Sequence, residues 1–77
     1  MKLEIISPTG VLFEGEIDCI SLPGTMGSFE ILPDHAPIIA ALQQGIIEYD
    51  NGKQRAELSI QSGFVEVKSN LITVCIE

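Results

Sequence analysis

The chain has 77 residues, with eleven acidic and four basic side chains and a formal net charge of −7 at pH 7. This length suffices for one domain and is too short for two. The negative charge argues against nucleic acid as a partner, because a phosphate backbone is bound by clustered Lys and Arg. It also disfavours unaided binding to anionic lipid.

Hydrophobic residues make up 45% of the chain, with no Trp, one Tyr and three Phe, so a folded core must be aliphatic. The N-terminus lacks the long apolar stretch of a signal peptide. The longest stretch without a charged side chain, residues 35–47, is interrupted by Pro and Gly and is too short to span a bilayer. We therefore expect a soluble, cytosolic protein without direct membrane insertion.

Short apolar segments alternate with turn residues along the chain, which is typical of an all-β protein. Turns are predicted at residues 7–10, 23–24 and 33–37, where Pro, Gly, Ser and Asp accumulate. Residues 38–44 fit a short buried strand or a single helical turn equally well. The predicted strands cover residues 3–6, 17–22, 29–32, 46–49, 56–60, 64–68 and 71–76.

Asn51-Gly52 is the preferred sequence of a two-residue type I′ turn, in which both central positions need φ > 0. It predicts a hairpin with one charged and one aliphatic face, as in a half-buried antiparallel sheet. The register that follows pairs Asp50 with Lys53, Glu48 with Arg55, Tyr49 with Gln54, Ile47 with Ala56 and Gly45 with Leu58.

Ser69-Asn70 indicates a second hairpin, although this turn sequence is weaker than Asn-Gly. Both hairpins favour sheet, and no helix longer than one turn is predicted. The second register pairs Val67 with Ile72 and Val65 with Val74 on one face, and Glu66 with Thr73 on the other.

The single histidine, His35, lies beside Asp34 between two prolines, where a carboxylate would orient it as a general base. That role needs a nucleophile or a metal partner. One His with two distant Cys forms neither a catalytic triad nor a zinc site. We expect His35 to hydrogen-bond within its turn or to a neighbouring subunit.

The other candidate groups also favour structural roles. Cys19 and Cys75 are predicted to be reduced, buried thiols, because one pair without a secretion signal is no disulfide framework. Glu14, Glu16 and Asp18 alternate along a predicted strand and would form a solvated row, whereas Ca²⁺ or Mg²⁺ needs oxygen ligands from several segments. No phosphate-binding glycine loop is present, since Gly-Lys-Ser/Thr is missing. No catalytic, metal-binding or cofactor-binding residue is predicted.

A more specific pattern lies at residues 22–37, whose sequence is LPGTMGSFEILPDHAP. This segment resembles the signature of the epsilon subunit of F-type ATP synthases (delta in mitochondria), in which a PGxxG turn leads to a short strand and an ILPxHAP loop. Residues 7–10, 13–15, 45–49, 62–67 and 71–74 are similar to the same family in the same order. The resemblance covers essentially the whole chain.

The resemblance implies a flattened antiparallel β-sandwich or barrel of about ten short strands, formed by residues 1–77 as a single domain. It implies a non-catalytic rotor subunit of the central stalk, which couples rotation of the c-ring to the gamma subunit and the catalytic head during ATP synthesis. The location it implies is the cytoplasmic face of the bacterial inner (plasma) membrane, as a peripheral part of the catalytic sector.

The resemblance also assigns residues to the two expected partners. The residues expected to face the gamma subunit are Ser7, His35 and Ala40. Those expected to approach the c-ring are Met26, Gly27, Ser28, Phe29 and Glu30. Relatives often carry an acidic residue where this chain has Ser28 and a glycine where it has Glu30, so a carboxylate contact with the ring would shift to Glu30. Ser62 replaces the first glycine of a usual Gly-Gly pair.

Members of this family commonly continue into a C-terminal α-helical hairpin that restrains ATP hydrolysis and, in some bacteria, binds ATP. The sequence stops at Glu77, at the end of the last predicted strand, so neither that inhibition nor ATP binding is expected. The alternative is a free-standing β-sandwich binding or carrier module, such as a lipoyl-like domain with a modified lysine. Lys53 lies beside a predicted turn but lacks the flanking carrier motif.

Overall fold

The computed structural model describes all residues, Met1–Glu77, and contains nine β-strands. The all-β architecture predicted from the sequence is confirmed, with nine strands in place of the expected ten or so. No helix of the structure has the length and apolar character needed to cross a bilayer. In chain order the strands are β1 (Lys2–Ser7), β2 (Gly10–Glu16), β3 (Cys19–Gly24), β4 (Gly27–Ile31), β5 (Ile38–Leu42), β6 (Gly45–Asp50), β7 (Arg55–Ile60), β8 (Gly63–Lys68) and β9 (Leu71–Ile76).

The strands form one curled sheet in the order β2-β1-β9-β8-β5-β3-β6-β7, with β4 paired to β3. Every pair is antiparallel except β1 and β9, which run parallel. The sheet bends between β5 and β3, which share only the pair of Gly24 and Leu42. We call β2-β1-β9-β8-β5 the first half and β4-β3-β6-β7 the second half. Their inner faces share one core, as in a β-sandwich.

The core consists of thirteen buried aliphatic residues from both halves, and no polar or charged side chain is buried with them. Strand alternation places these residues, because successive side chains point to opposite faces. In β1, for example, Leu3 and Ile5 are fully buried and alternate with Lys2 and Glu4. Three of the aromatic residues lie around the aliphatic core as partly buried neighbours: Phe13, Phe29 and Tyr49.

The structure contains two strands, β2 and β5, that are not among the strands predicted from the sequence. The ambiguous segment forms β5 (Ile38–Leu42), a strand because it is paired along its length with β8 and also meets β3. β2 (Gly10–Glu16) pairs with β1 through a register shift after Ile5. This strand includes Glu14 and Glu16 but ends before Asp18, so the expected single row of three carboxylates is wrong.

The register predicted for the β6–β7 hairpin is wrong by two residues. Asp50 pairs with Arg55, and the turn has four residues, 51–54, in place of two. Asn51 Oδ1 accepts hydrogen bonds from the Lys53 and Gln54 N–H groups at 3.0 and 2.9 Å, and only Gly52 in this turn has positive φ. The Asn side chain thus stabilises a wider turn than type I′. Because the shift is even, the charged and aliphatic faces are unchanged.

The register predicted for the β8–β9 hairpin is confirmed. Ser69 and Asn70 have φ of 50° and 61°, as a two-residue type I′ turn requires. The observed pairs are those expected: Val67 with Ile72, Val65 with Val74 and Glu66 with Thr73. The two aliphatic pairs, Val67 with Ile72 and Val65 with Val74, face the core.

Candidate functional site

The loop of residues 32–37, between β4 and β5, carries His35. The imidazole Nδ1 lies 2.7 Å from the Ala36 carbonyl oxygen, and the residue is half-buried between exposed neighbours. Asp34 has a φ of 65° and hydrogen-bonds to Asn70 in the β8–β9 turn. No group of three or more His, Cys, Asp and Glu is arranged to hold a metal ion. The loop offers a surface for contact at one end of the sheet.

Ser7 ends β1, and its side chain stabilises the turn into β2. Its hydroxyl donates to the Gly10 carbonyl at 3.1 Å and accepts a hydrogen bond from the Thr9 N–H at 3.3 Å. Asn70 is hydrogen-bonded to the His35 loop and also to Lys2, the first residue of β1. β1 runs away from this loop, parallel to β9, and ends at Ser7. A strand of this length spans about 17–20 Å. Ser7 and His35 therefore lie at opposite ends of the first half, and only an extended partner surface reaches both.

Ala40 lies in the middle of β5 opposite Val65 and packs against the core. Its exposed neighbours in the strand are Ala41 and Ile39, whose side chain is 75% exposed. Contact with a partner along β5 therefore involves Ile39 and Ala41 most directly. A bulky charged residue at position 40 would disturb packing, so it is a poor test of partner binding.

The β3–β4 turn carries the residues expected at the c-ring. Met26 is 99% exposed at its tip, and Gly27 has a φ of 121°. Ser28 and Glu30 are exposed along β4, whereas Phe29 packs against the core. Of the five residues expected at the c-ring, Phe29 is therefore the one whose side chain is mainly used for packing within the protein.

The β3–β4 turn lies against β5, because the Thr25 N–H donates to the Ala41 carbonyl at 3.0 Å. Met26 and Gly27 consequently line a shallow cavity of about 300 Å³ together with residues 39–41 of β5. The structure thus brings Ala40 next to the c-ring candidates and leaves it apart from Ser7.

An apolar row on the outer face of the first half escaped the reading of the sequence. It crosses five neighbouring strands through direct cross-strand pairs: Val11, Ile6, Cys75, Phe64 and Ala41. Phe64 is 51% exposed, although it occupies the polar side of the alternating pattern of β8. That break in the alternation marks Phe64 alone as an exposed apolar residue, whereas the rest of the row follows from the pairing between strands. A contiguous exposed apolar patch is typical of an interaction surface.

The outer face of the second half is acidic by contrast. Glu30, Glu48 and Asp50 lie there around Cys19, with Arg55 as the neighbouring cation. Arg55 forms an ion pair with Glu48, and this hydrogen bond raises the pKa of the guanidinium.

Partial burial raises the pKa of the Cys19 thiol, and the charges of Asp50 and Glu30 raise it further. Both cysteines are free thiols, and each is half-buried, where full burial was expected.

The raised pKa of Cys19 predicts slow alkylation in the folded protein. In a Cys75→Ser variant, the rate of reaction with iodoacetamide should rise with a midpoint above pH 9.0, the ordinary value for this thiol. The reason is that a raised pKa leaves less thiolate at any given pH, and thiolate is the nucleophile. The same variant unfolded in urea is the control and should react faster at pH 8. Equal rates in the two states would contradict the prediction.

Comparison with known proteins relates the whole chain to one family. The family model of the ATP synthase delta/epsilon chain β-sandwich domain matches residues 1–77. The ATP synthase epsilon chain of Leptospira interrogans serovar copenhageni is 45% identical over 74 residues, which are 96% of this chain and 58% of the relative. That of Nitratiruptor is 37% identical over 79 residues, covering 100% of this chain and 60% of the relative. The chain thus spans less than two thirds of the length of these relatives.

Solved structures share the fold. A chain of the Euglena gracilis mitochondrial ATP synthase (OSCP/F1/c-ring) superposes with a TM-score of 0.89 at 19% identity, over 96% of this chain and 48% of that one. A chain of the Tetrahymena thermophila mitochondrial ATP synthase (central stalk/c-ring) gives 0.82 at 15% identity, over 99% and 62%. Identities this low establish the fold alone. Because the family model matches from the first residue to the last, this chain belongs to the family of ATP synthase delta/epsilon chain β-sandwich domains.

Proposed function

We propose that this chain is a non-catalytic subunit of the central stalk of an F-type ATP synthase, where it joins the c-ring to the gamma subunit. The observation that supports this most directly is the family match over residues 1–77. In this role the protein transmits rotation of the ring to the catalytic head and is peripheral to the membrane, on the cytoplasmic face of the bacterial inner membrane.

The proposed role is mechanical and needs a rigid body with two contact surfaces. The nine strands enclose a single core of aliphatic residues, and such interiors are close-packed and resist compression. A rigid body can transmit torque between two partners through its contact surfaces, and this role needs no reactive centre.

The outer face of the first half is the proposed contact surface for the gamma subunit. The outer apolar row crosses this face, with Ser7 at one end of the strands and His35 at the other. A partner of standard size covers about 800 Å² on each side, which is large enough to reach from one end to the other. Burial of Phe64 and Val11 would supply the apolar part of the contact.

The tip of the β3–β4 turn is the proposed contact point for the c-ring. Met26 projects almost completely into solvent there, and Ser28 follows on the same exposed strand. Glu30 lies farther along β4 and faces the acidic outer surface of the second half. A carboxylate contact through Glu30 therefore requires the ring to reach along β4 beyond the turn.

A charge substitution at His35 tests the proposed contact with the gamma subunit. His35→Glu should weaken binding to the cognate gamma subunit by about tenfold or more, because it places an unpaired carboxylate in an interface. Isothermal titration calorimetry on the purified pair measures this effect. Gln54→Glu is the matched control, since it introduces the same charge in the exposed β6–β7 turn. Failure of the unmodified chain to bind gamma would disprove the proposed function.

A further inference from the structure

We propose that Asn70 is a positioning residue, which holds the loop of residues 32–37 in the conformation that presents His35 to a partner. This inference rests on the proposed contact of His35 with the gamma subunit. Asn70 itself lies in the β8–β9 turn, and no pattern in the sequence relates it to a loop so far away along the chain.

Asn70 and Asp34 are joined by two reciprocal hydrogen bonds. The Asp34 N–H donates to Asn70 Oδ1 at 2.7 Å, and Asn70 Nδ2 donates to Asp34 Oδ1 at 2.9 Å. The second of these has an ionised acceptor, which makes it stronger than a neutral hydrogen bond. The amide side chain therefore contacts both the backbone and the side chain of the residue preceding His35.

These two bonds are the only hydrogen bonds between the loop and the rest of the chain. The remaining hydrogen bond within residues 32–37 joins His35 to its neighbour Ala36. Pro33 and Pro37 have no N–H to donate, so the loop has little capacity for further backbone bonds. Between its two ends in β4 and β5, the loop is thus hydrogen-bonded to the rest of the protein at Asp34 alone.

The point of attachment is also the residue with unusual backbone geometry. Asp34 has a φ of 65°, in the left-handed region that residues other than Gly seldom occupy. Asp tolerates this region better than most residues, but the free loop has alternatives at φ < 0. The hydrogen bond from the Asp34 N–H to Asn70 selects the left-handed conformation and with it the direction in which His35 leaves the backbone.

Asn70 is itself held firmly enough to serve as an anchor. Its φ of 61° is set by the type I′ turn, and its carbonyl accepts a hydrogen bond from the Lys2 N–H at 2.9 Å, where β1 begins. Next to the turn, the hairpin is fixed in the core by the buried pair of Val67 and Ile72. The position of Asn70 is therefore a property of the sheet, and the loop takes its position from Asn70.

Replacing Asn70 with glycine removes the side chain and keeps the positive φ that the turn needs. The loop then samples other conformations, and the apparent affinity for a partner falls in proportion to the competent fraction. We expect binding to gamma to weaken about tenfold or more, since one neutral and one charge-assisted hydrogen bond are lost together. By NMR, the order parameter of the His35 amide should fall from about 0.85 to below about 0.6.

Asn51→Gly is the matched control. Asn51 also occupies a hairpin turn, and its side chain accepts hydrogen bonds only from the turn residues Lys53 and Gln54. This variant should bind gamma like the unmodified chain and leave the His35 order parameter unchanged. A loss of equal size in both variants would show a general effect of loosened turns and would overturn the inference.

An exchange of the two side chains separates positioning from stability. Asn70→Asp places two carboxylates together and removes the Nδ2 donor, so it should weaken binding about as much as glycine does. Adding Asp34→Asn restores a donor opposite an acceptor and should return the affinity to within about threefold of the unmodified chain. An unrescued double variant would contradict the proposed role.

The outcomes distinguish this inference from the function on which it rests. If the unmodified chain binds gamma and His35→Glu weakens binding, while Asn70→Gly binds normally, the positioning role is wrong and the proposed function stands. If the unmodified chain does not bind gamma, both are wrong. Selective loss in Asn70→Gly with recovery in the exchanged pair supports both.

Discussion

Replacing Gly63 with alanine is expected to destabilise the fold by about 3 kcal/mol or more, which is at the upper end of the cost of overpacking. A Cβ atom at this position would lie 2.3 Å from the Cys75 carbonyl oxygen and 3.1 Å from the Ile76 Cα. Both atoms belong to the backbone of β9, which pairs with β1 and β8. The contact lies at the end of β9, but Cys75 is paired with both Ile6 of β1 and Phe64 of β8, so the backbone cannot move away without disturbing these pairs.

Urea unfolding followed by circular dichroism measures the effect of Gly63→Ala, with the slope of the transition compared between variants. Gly15→Ala is the matched control, since its Cβ would meet only the edge of the Phe13 ring, at 3.2 Å. The control should lose less than about 1 kcal/mol, because a partly buried ring at the sheet edge can shift. A Gly63→Ala variant as stable as the control would show that β9 yields at this point.

Ile5→Ala should lower the free energy of unfolding by about 2–5 kcal/mol, the range for removing a large aliphatic side chain from a core. Ile5 is 0% exposed in β1 and lies between Phe13 of β2 and Val74 of β9. A domain of this size has a total stability of roughly 4–12 kcal/mol. This single substitution therefore removes a large fraction of it, and the midpoint of thermal unfolding should fall by roughly 10 °C or more.

Ile39→Ala makes the same chemical change on the outer face of β5 and serves as the control for Ile5→Ala. The side chain of Ile39 is mostly exposed, so its removal should change the free energy of unfolding by less than about 0.5 kcal/mol. Similar losses at the two positions would contradict the burial pattern that defines the core. Thermal and urea unfolding of both variants give the comparison directly.

The two hairpins show how far local sequence determines strand register. Alternation separates the two faces of a hairpin, but registers that differ by two residues have the same faces, so alternation cannot distinguish them. In the β6–β7 hairpin the choice depends on hydrogen bonds that the Asn51 side chain makes within the turn. In the β8–β9 hairpin the two-residue turn is stabilised from outside, because Asn70 bonds to Lys2 and Asp34.

The candidate site was predictable only in part, for a similar reason. Motif resemblance points to His35, which is half-buried in a surface loop, and to Met26, which is exposed at the tip of a turn. It also points to Ala40. This residue pairs with the buried Val65 of β8, so its side chain is on the core face of β5. The outer apolar row depends on pairing between strands distant in sequence, so it becomes visible only when the sheet order is known.

By itself, the sequence determined the all-β class and the aliphatic core, because these follow from composition and from the two-residue alternation within single strands. The tertiary structure decided which strands are neighbours, how the β6–β7 register falls and where the loop of His35 is attached. These features depend on contacts between residues far apart in the chain, such as Asp34 and Asn70. Their energies are small individually and act only once the core has brought the segments together.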